Sequence, residues 1–182
     1  MGMALAVPRY SIDDLERMPE DGNRYEILDG VLLVTPQPRR VHDIVVSRLF
    51  EGLIDLVRKP RVANVFPSGA VELPPWTQLQ PDLLVQPARF ERETQWSKVT
   101  EHWLAVEVLS RGSRVYDREF KRDAYLALGV QEVWLVDIEN KQVEVCRGPG
   151  KSETIRDVIL WRVPTTDREV AIDLADLFEG IA

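Results

Sequence analysis

The sequence predicts a single domain of mixed α/β class whose central sheet is at least partly parallel. A chain of 182 residues is long enough to bury one substantial core. Residues 102–109 and 132–137 are nearly continuous apolar runs, the pattern of strands covered on both faces. Since a helical segment separates them, the two runs form a crossover unit, which joins parallel strands.

The first half of the chain is expected to hold a β-hairpin and the longest helix. Residues 24–35 contain two β-rich runs that meet at Asp29-Gly30, a strong hairpin signal. Residues 41–58 repeat apolar side chains at helical spacing with polar residues between them. Three further segments complete this half: a short capped helix after Ser11, two strands within residues 61–73, and a strand over residues 81–85.

The second half is expected to alternate buried strands with one helix. The strand over residues 102–109 leads into a helix over residues 114–128, which ends at Gly129. The strand over residues 132–137 then returns to the sheet. A half-exposed strand over residues 141–147 and an edge strand over residues 170–174 follow.

Composition limits the classes of function. Asp and Glu outnumber Lys and Arg by 30 to 23, so a net charge of −7 argues against binding nucleic acid through overall charge. A nucleic-acid role would need a local basic patch or a metal ion. The single cysteine, Cys146, excludes an intramolecular disulfide, and only two histidines are present. With no signal peptide or long apolar run, the expected location is the cytoplasm.

Two carboxylates stand out as candidate ligands for a metal ion. Glu107 interrupts an apolar strand, where a charge must be neutralised, paired with a cation or bound to a metal. A buried ion pair with an arginine explains Glu107 equally well. Asp82 follows Pro81 at a strand start, where a lone aspartate is usually a turn residue. Together the two carboxylates form the oxygen-rich pair that Mg²⁺, or Mn²⁺, prefers.

Lys121 is the third candidate. It lies on one helical stripe with Asp117 and Tyr125, in the helix that directly follows the Glu107 strand. A surface ion pair between Asp117 and Lys121 is the simplest interpretation of that spacing. A helix packed back over the sheet could instead direct Lys121 toward the two carboxylates.

Five motifs, in order, carry a resemblance to a known family: Tyr25 to Gly30 (YEILDG), Pro81-Asp82, Glu107 to Ser110 (EVLS), Asp117 with Lys121 and Tyr125, and Gly129 to Asp137 (GVQEVWLVD). The chain resembles the Uma-type restriction endonucleases of the PD-(D/E)XK nuclease superfamily from about Tyr10 to its C-terminus. The resemblance implies one restriction-endonuclease-like domain over residues 1–182, with a mixed sheet flanked by helices and an N-terminal β-hairpin extension.

The resemblance also implies a Mg²⁺-dependent DNA endonuclease. Asp82 and Glu107 would hold the metal with the carbonyl of Val108, and Lys121 would act on the attacking water. In most of the superfamily a lysine stands two residues after the glutamate, and here that position is Leu109. Lys121 is the replacement that the Uma-type pattern suggests. A protein that keeps the fold without catalysis, and binds nucleic acid or a protein partner, is the alternative.

The resemblance nominates further residues and an assembly. Glu26 and His42 are possible accessory groups, although a solvated pair with the neighbouring Arg24 and a structural role at the helix entry would explain them as well. A basic run beside the proposed site suggests contacts with DNA phosphates through Arg111, Arg114 and Arg118. A homodimer is expected, because a restriction-type nuclease addresses two strands and the hairpin carries apolar edge sequence.

Overall fold

The computed structural model describes residues 9–58, 61–109 and 120–181. Within these ranges the helices are α1 (Ile12–Leu15), α2 (Arg40–Leu53), α3 (Arg122–Ala127) and α4 (Leu174–Leu177). The strands are β1 (Arg24–Leu28), β2 (Val31–Thr35), β3 (Ala63–Pro67), β4 (Val71–Leu73), β5 (Thr77–Leu79), β6 (Leu83–Pro87), β7 (His102–Leu109), β8 (Val130–Asp137), β9 (Gln142–Cys146), β10 (Ser152–Ile155), β11 (Val158–Arg162) and β12 (Glu169–Asp173).

A six-stranded mixed sheet forms the centre of the molecule, in the order β10-β9-β8-β7-β6-β3. Strands β7 and β8 are parallel, and the other neighbours in this sheet are antiparallel. The parallel pair is the crossover unit expected from the two apolar runs. All eight residues of β7 are buried, as a strand covered on both faces requires.

Two apolar clusters cover the two faces of this sheet. The larger cluster packs α2 and the C-terminal segment against one face, through residues such as Leu49, Trp134 and Phe178. The smaller cluster includes Ala105, Leu109 and Tyr125. Because Glu107 and Leu109 are two residues apart on one strand, their side chains point to the same face of the sheet. The smaller cluster therefore adjoins the candidate site.

The predicted hairpin is present but is part of a second sheet, ordered β2-β1-β5-β4. Asp29 and Gly30 both have positive φ, 51° and 82°, as a tight turn between right-twisted strands requires. Strand β1 also pairs with β5, so the hairpin is an integrated part of the domain. The strands on either side of Ser68-Gly69 do not pair with each other, because β3 joins the central sheet and β4 joins this one.

The helices differ from the predictions mainly at their ends. Helix α2 begins one residue earlier than expected and gives way to a 3₁₀ turn at Ile54–Leu56. Helix α3 occupies the C-terminal part of the predicted helix 114–128, whose first residues lie outside the described ranges. Strands β5, β10 and β11 were not predicted. In the described part of the chain, no helix is both long enough and apolar enough to cross a membrane.

Candidate active site

Asp82 and Glu107 face each other across two neighbouring strands. The antiparallel register of β6 and β7 pairs Leu83 with Val106, so the next position in that register sets Asp82 opposite Glu107. Opposed residues of an antiparallel pair project to the same face. Both side chains are buried, at 4% and 2% exposure.

The carboxylate of Asp82 accepts three hydrogen bonds. Oδ1 accepts from Arg24 Nη2 at 2.9 Å, and Oδ2 lies 3.0 Å from His42 Nε2 and 2.8 Å from the backbone nitrogen of Val108. Burial raises the pKa of Asp82, but the hydrogen bonds and the charges of His42 and Arg24 outweigh burial and hold the pKa below its ordinary value. Asp82 is therefore an ionised carboxylate in a buried position.

Glu107 is held by two residues one helical turn apart. The Tyr125 hydroxyl donates to Oε1 at 2.7 Å, and Lys121 Nζ lies 3.4 Å from the same oxygen. Lys121 is only 2% exposed. The surface position that this pair assumed for Lys121 is thus wrong, because its ammonium group lies in the protein interior beside Glu107, and Asp117 lies outside the described residues.

Glu26 is a second partner of Lys121. Its Oε2 lies 2.6 Å from Lys121 Nζ, a close ion pair without regular hydrogen-bond geometry, and its Oε1 accepts from the backbone nitrogen of Gln80 at 2.7 Å. Glu26 is fully buried. The solvated pair with Arg24 is therefore wrong, and Glu26 lies in the same cluster as Glu107.

Arg24 belongs to this cluster, although it was not among the predicted site residues. It lies two positions before Glu26 on β1, so the two side chains share a face. Its Nη1 donates to the carbonyl of Gln80 at 3.1 Å, while Nη2 contacts Asp82. The sequence signal for Arg24 is its two-residue spacing from Glu26 on one strand. That spacing predicts that Arg24 lies on the buried face if Glu26 does.

His42 lies at the start of α2 and is 7% exposed. Its Nδ1 lies 3.3 Å from Asp43 Oδ1, and its Nε2 contacts Asp82. Burial lowers the pKa of His42, but the bonds to Asp82 and Asp43 outweigh burial and raise the pKa above its ordinary value. His42 therefore directly contacts one of the two predicted metal ligands.

The donors and the charge of the cluster fit a hard divalent cation. Among the described residues the cluster holds three carboxylates, Glu26, Asp82 and Glu107, and two basic side chains, Arg24 and Lys121. In these ranges no three His, Cys, Asp or Glu residues converge into a preformed metal cage. Mg²⁺ does not need one, because it usually takes one or two carboxylates and completes its shell with water and substrate phosphate.

Leu109 occupies the position that a lysine holds in most of the superfamily. It is 3% exposed and packs in the smaller apolar cluster with Tyr125. Lys121, the N-cap residue of α3, reaches Glu107, so the structure brings a lysine to this carboxylate from the start of the helix that contains Tyr125. The three proposed phosphate contacts, Arg111, Arg114 and Arg118, lie outside the described residues.

The fold is that of a restriction-endonuclease-like domain, a mixed sheet that here carries two opposed carboxylates and a lysine. The family model for Uma2, described as "Putative restriction endonuclease", matches residues 12–180. The chain belongs to the Uma2 family. A solved structure from Anabaena variabilis, titled as a "putative nuclease belonging to DUF820", shares the fold with a TM-score of 0.73 and 22% sequence identity.

That alignment covers 93% of this chain and 97% of the Anabaena chain, so the likeness extends over the whole domain. It confirms the predicted restriction-endonuclease-like fold. No protein with curated annotation matches the sequence.

Proposed function

We propose that this protein is a divalent-metal-dependent endonuclease that hydrolyses phosphodiester bonds in DNA. The observation that carries the proposal is the opposition of Asp82 and Glu107 across β6 and β7, with Lys121 beside Glu107. Membership of a family described as restriction endonucleases supports the reaction class. Burial of three carboxylates in one cluster is costly for stability, which favours a functional reason for keeping them.

Asp82 and Glu107 are the proposed ligands of Mg²⁺ or Mn²⁺. When bound, the cation supplies Lewis acidity and offsets the negative charge of the phosphate. Asp82 already accepts hydrogen bonds from Arg24, His42 and Val108. These bonds take three of the roughly four lone-pair sites of the carboxylate, so a cation on Asp82 either uses the remaining site of Oδ1, beside Arg24, or displaces a donor.

Lys121 is the proposed catalytic cation, and its neighbours position it. Both Glu26 and Glu107 contact the ammonium group, at 2.6 Å and 3.4 Å. An ammonium fixed there can orient a water molecule and stabilise charge that develops on the phosphate. Tyr125 fixes the Glu107 oxygen that faces Lys121, so the carboxylate and the lysine keep their relative positions.

DNA is the proposed substrate despite the acidic composition. Arg111, Arg114 and Arg118 are proposed to contact phosphates close to Lys121 in the sequence. Replacing all three with Ala should weaken duplex binding and flatten its dependence on salt, because fewer counterions are released. An unchanged salt dependence would show that these arginines do not bind the backbone.

The deciding experiment is cleavage of supercoiled plasmid DNA and short duplexes with Mg²⁺, Mn²⁺ or EDTA. Asp82→Asn and Glu107→Gln should abolish cleavage, and calorimetry should show loss of Mn²⁺ binding. Glu132→Gln is the matched control, because Glu132 is also a buried strand glutamate, bonded to Trp134 and Arg147. It should cleave as the parent does.

The non-catalytic alternative gives a different result. A protein that only keeps the fold would not cleave any substrate and would show no Mn²⁺ site that Asp82→Asn removes. Cleavage that persists equally in Asp82→Asn and Glu107→Gln would also contradict the proposed site.

A further inference from the structure

The positive charge of Arg24 lies among the carboxylates of the cluster. Its guanidinium contacts Asp82 Oδ1 at 2.9 Å, and its side chain is 23% exposed against 4% for Asp82. Burial lowers the pKa of Arg24, but the charges of Asp82, Glu107 and Glu26 outweigh burial and raise it. The guanidinium therefore lies in the field of all three carboxylates.

The contact between Arg24 and Asp82 consists of one hydrogen bond, so Arg24 can leave Asp82 more easily than an arginine held by two. Only Nη2 contacts the carboxylate, while Nη1 donates to the carbonyl of Gln80. The other oxygen of Asp82 is taken by His42 and by the backbone of Val108. Arg24 thus lacks the paired, two-bond geometry that makes arginine and carboxylate contacts strongest.

Arg24 also lines open space into which it can turn. One cavity of about 430 Å³ is lined by Arg24, by Asp82 and, from α2, by His42, Val46 and Phe50. A second cavity of about 450 Å³, lined by Tyr25, Gln37 and Gln80 among others, also includes Arg24. Both volumes are within the range of ligand-binding clefts. A rotation of the Arg24 side chain could therefore place the guanidinium in a cleft without movement of β1.

We propose that Arg24 is an exchangeable internal counter-ion: it neutralises Asp82 in the metal-free protein, leaves Asp82 when a divalent cation binds, and then binds a DNA phosphate in the cleft. The inference rests on the proposed function. Arginine suits both positions, because it keeps its charge at any working pH and its planar group matches carboxylate and phosphate.

The test measures two affinities that should change in opposite directions. In Arg24→Gln, calorimetry should show Mn²⁺ binding about tenfold tighter than in the parent, because no cation competes for Asp82. Binding of a short duplex in Ca²⁺, which takes the same oxygen ligands, should weaken about tenfold, with gels checking that the DNA stays intact. Without metal, duplex binding should be equal in the two proteins.

Arg17→Gln is the matched control. Arg17 is 77% exposed and pairs with Asp14 away from the cluster, so neither affinity should change. Arg24→Lys keeps the charge but loses the planar group, and it should bind Mn²⁺ about threefold tighter than the parent. If circular dichroism shows that Arg24→Gln does not fold, Arg24→Lys decides the question by the same measurement.

The failures can be told apart. If the parent binds Mn²⁺ at a site that needs Asp82 but the Arg24 variants bind it no more tightly, the exchange is wrong and the proposed function stands. Duplex binding that weakens equally with and without metal also overturns the exchange. If the parent has no Mn²⁺ site that depends on Asp82, both the proposed function and the inference are wrong.

Discussion

Tyr125 donates a 2.7 Å hydrogen bond to Glu107 Oε1, which joins helix α3 to the central strand β7. The oxygen that receives this bond is also the one that faces Lys121 Nζ at 3.4 Å. Because Tyr125 is fully buried, water does not replace this bond when it is lost. The carboxylate is thus oriented by the protein itself.

Removing the Tyr125 hydroxyl should therefore lower stability. In Tyr125→Phe we expect the free energy of unfolding to fall by about 2 kcal/mol, the range for hydrogen bonds to charged groups. Urea denaturation measures it. Tyr25→Phe is the matched control, since the Tyr25 hydroxyl donates to Asp21 at an exposed position and its loss should cost less than about 0.5 kcal/mol. Equal losses in the two variants would contradict the role of Tyr125.

Lys121→Ala should destabilise the protein by about 3–5 kcal/mol, because it leaves the buried carboxylate of Glu26 without its counter-ion. Adding Glu26→Gln to this variant should restore part of the loss by removing that charge. Lys98→Ala, at an exposed position, is the control and should be close to neutral in urea denaturation. A double variant less stable than Lys121→Ala would count against the ion pair.

Glu107→Gln separates metal binding from stability. Lys121 keeps its contact with Glu26, and Arg24 keeps its contact with Asp82, so no buried cation loses all its partners. We expect a change in stability within about 1 kcal/mol and, under the proposed function, loss of the Mn²⁺-dependent rise in melting temperature. A loss of stability near that of Lys121→Ala would show that Glu107 is mainly structural.

His102 should make stability depend on pH. Burial lowers the pKa of His102 to about 4, and this residue returns to its ordinary value near 6.5 on unfolding. Between these values the unfolded chain takes up a proton that the folded protein does not, so stability is full above pH 6.5 and falls as the pH decreases. From pH 7 to pH 5 the loss should be about 2 kcal/mol.

The measurement is urea denaturation of the parent and of His102→Gln across that range. The pKa of His42 is raised, so His42 acts with the opposite sign, but it is present in both proteins and cancels in their difference. A parent that depends on pH no more than His102→Gln would contradict the assignment.

The homodimer remains a prediction, and strand β2 is where we expect it to form. β2 lies at the edge of its sheet, and Val31 and Val34 are 57% and 50% exposed. Light scattering at micromolar concentration should give twice the chain mass of 20.9 kDa, and Val31→Lys with Val34→Lys should give the monomer. A monomeric parent would rule the dimer out.

The sequence predicted the fold wherever side-chain period and length were unambiguous. The bounds of β7 were predicted to the residue. Its eight positions are nearly all apolar, a pattern that is incompatible with an exposed strand. Strand β10 was missed because its four residues are mostly polar and exposed, and β11 because its exposed positions are also apolar, which hides the two-residue alternation. The pairing of β1 with β5 depends on contacts between segments 50 residues apart, which no local pattern reports.

The carboxylates of the candidate site could be predicted from the sequence, but not every residue that pairs with them. Glu107 was conspicuous because its neighbours are apolar, and Lys121 because of its place on the helix. Arg24 was not, since an arginine next to a strand glutamate is usually exposed. Its role appears only when the fold buries β1 against residues 80–82.

Arg24 and Asp82 are 58 positions apart in the chain, and Lys121 joins the cluster a further 39 positions after Asp82. A ribosome that has completed only the first hundred or so residues has made Arg24 and Asp82 but not the lysine, and synthesis at roughly 5–20 residues per second leaves a delay of seconds. Under the proposed function, a growing chain that ends before Lys121 therefore lacks the proposed catalytic cation.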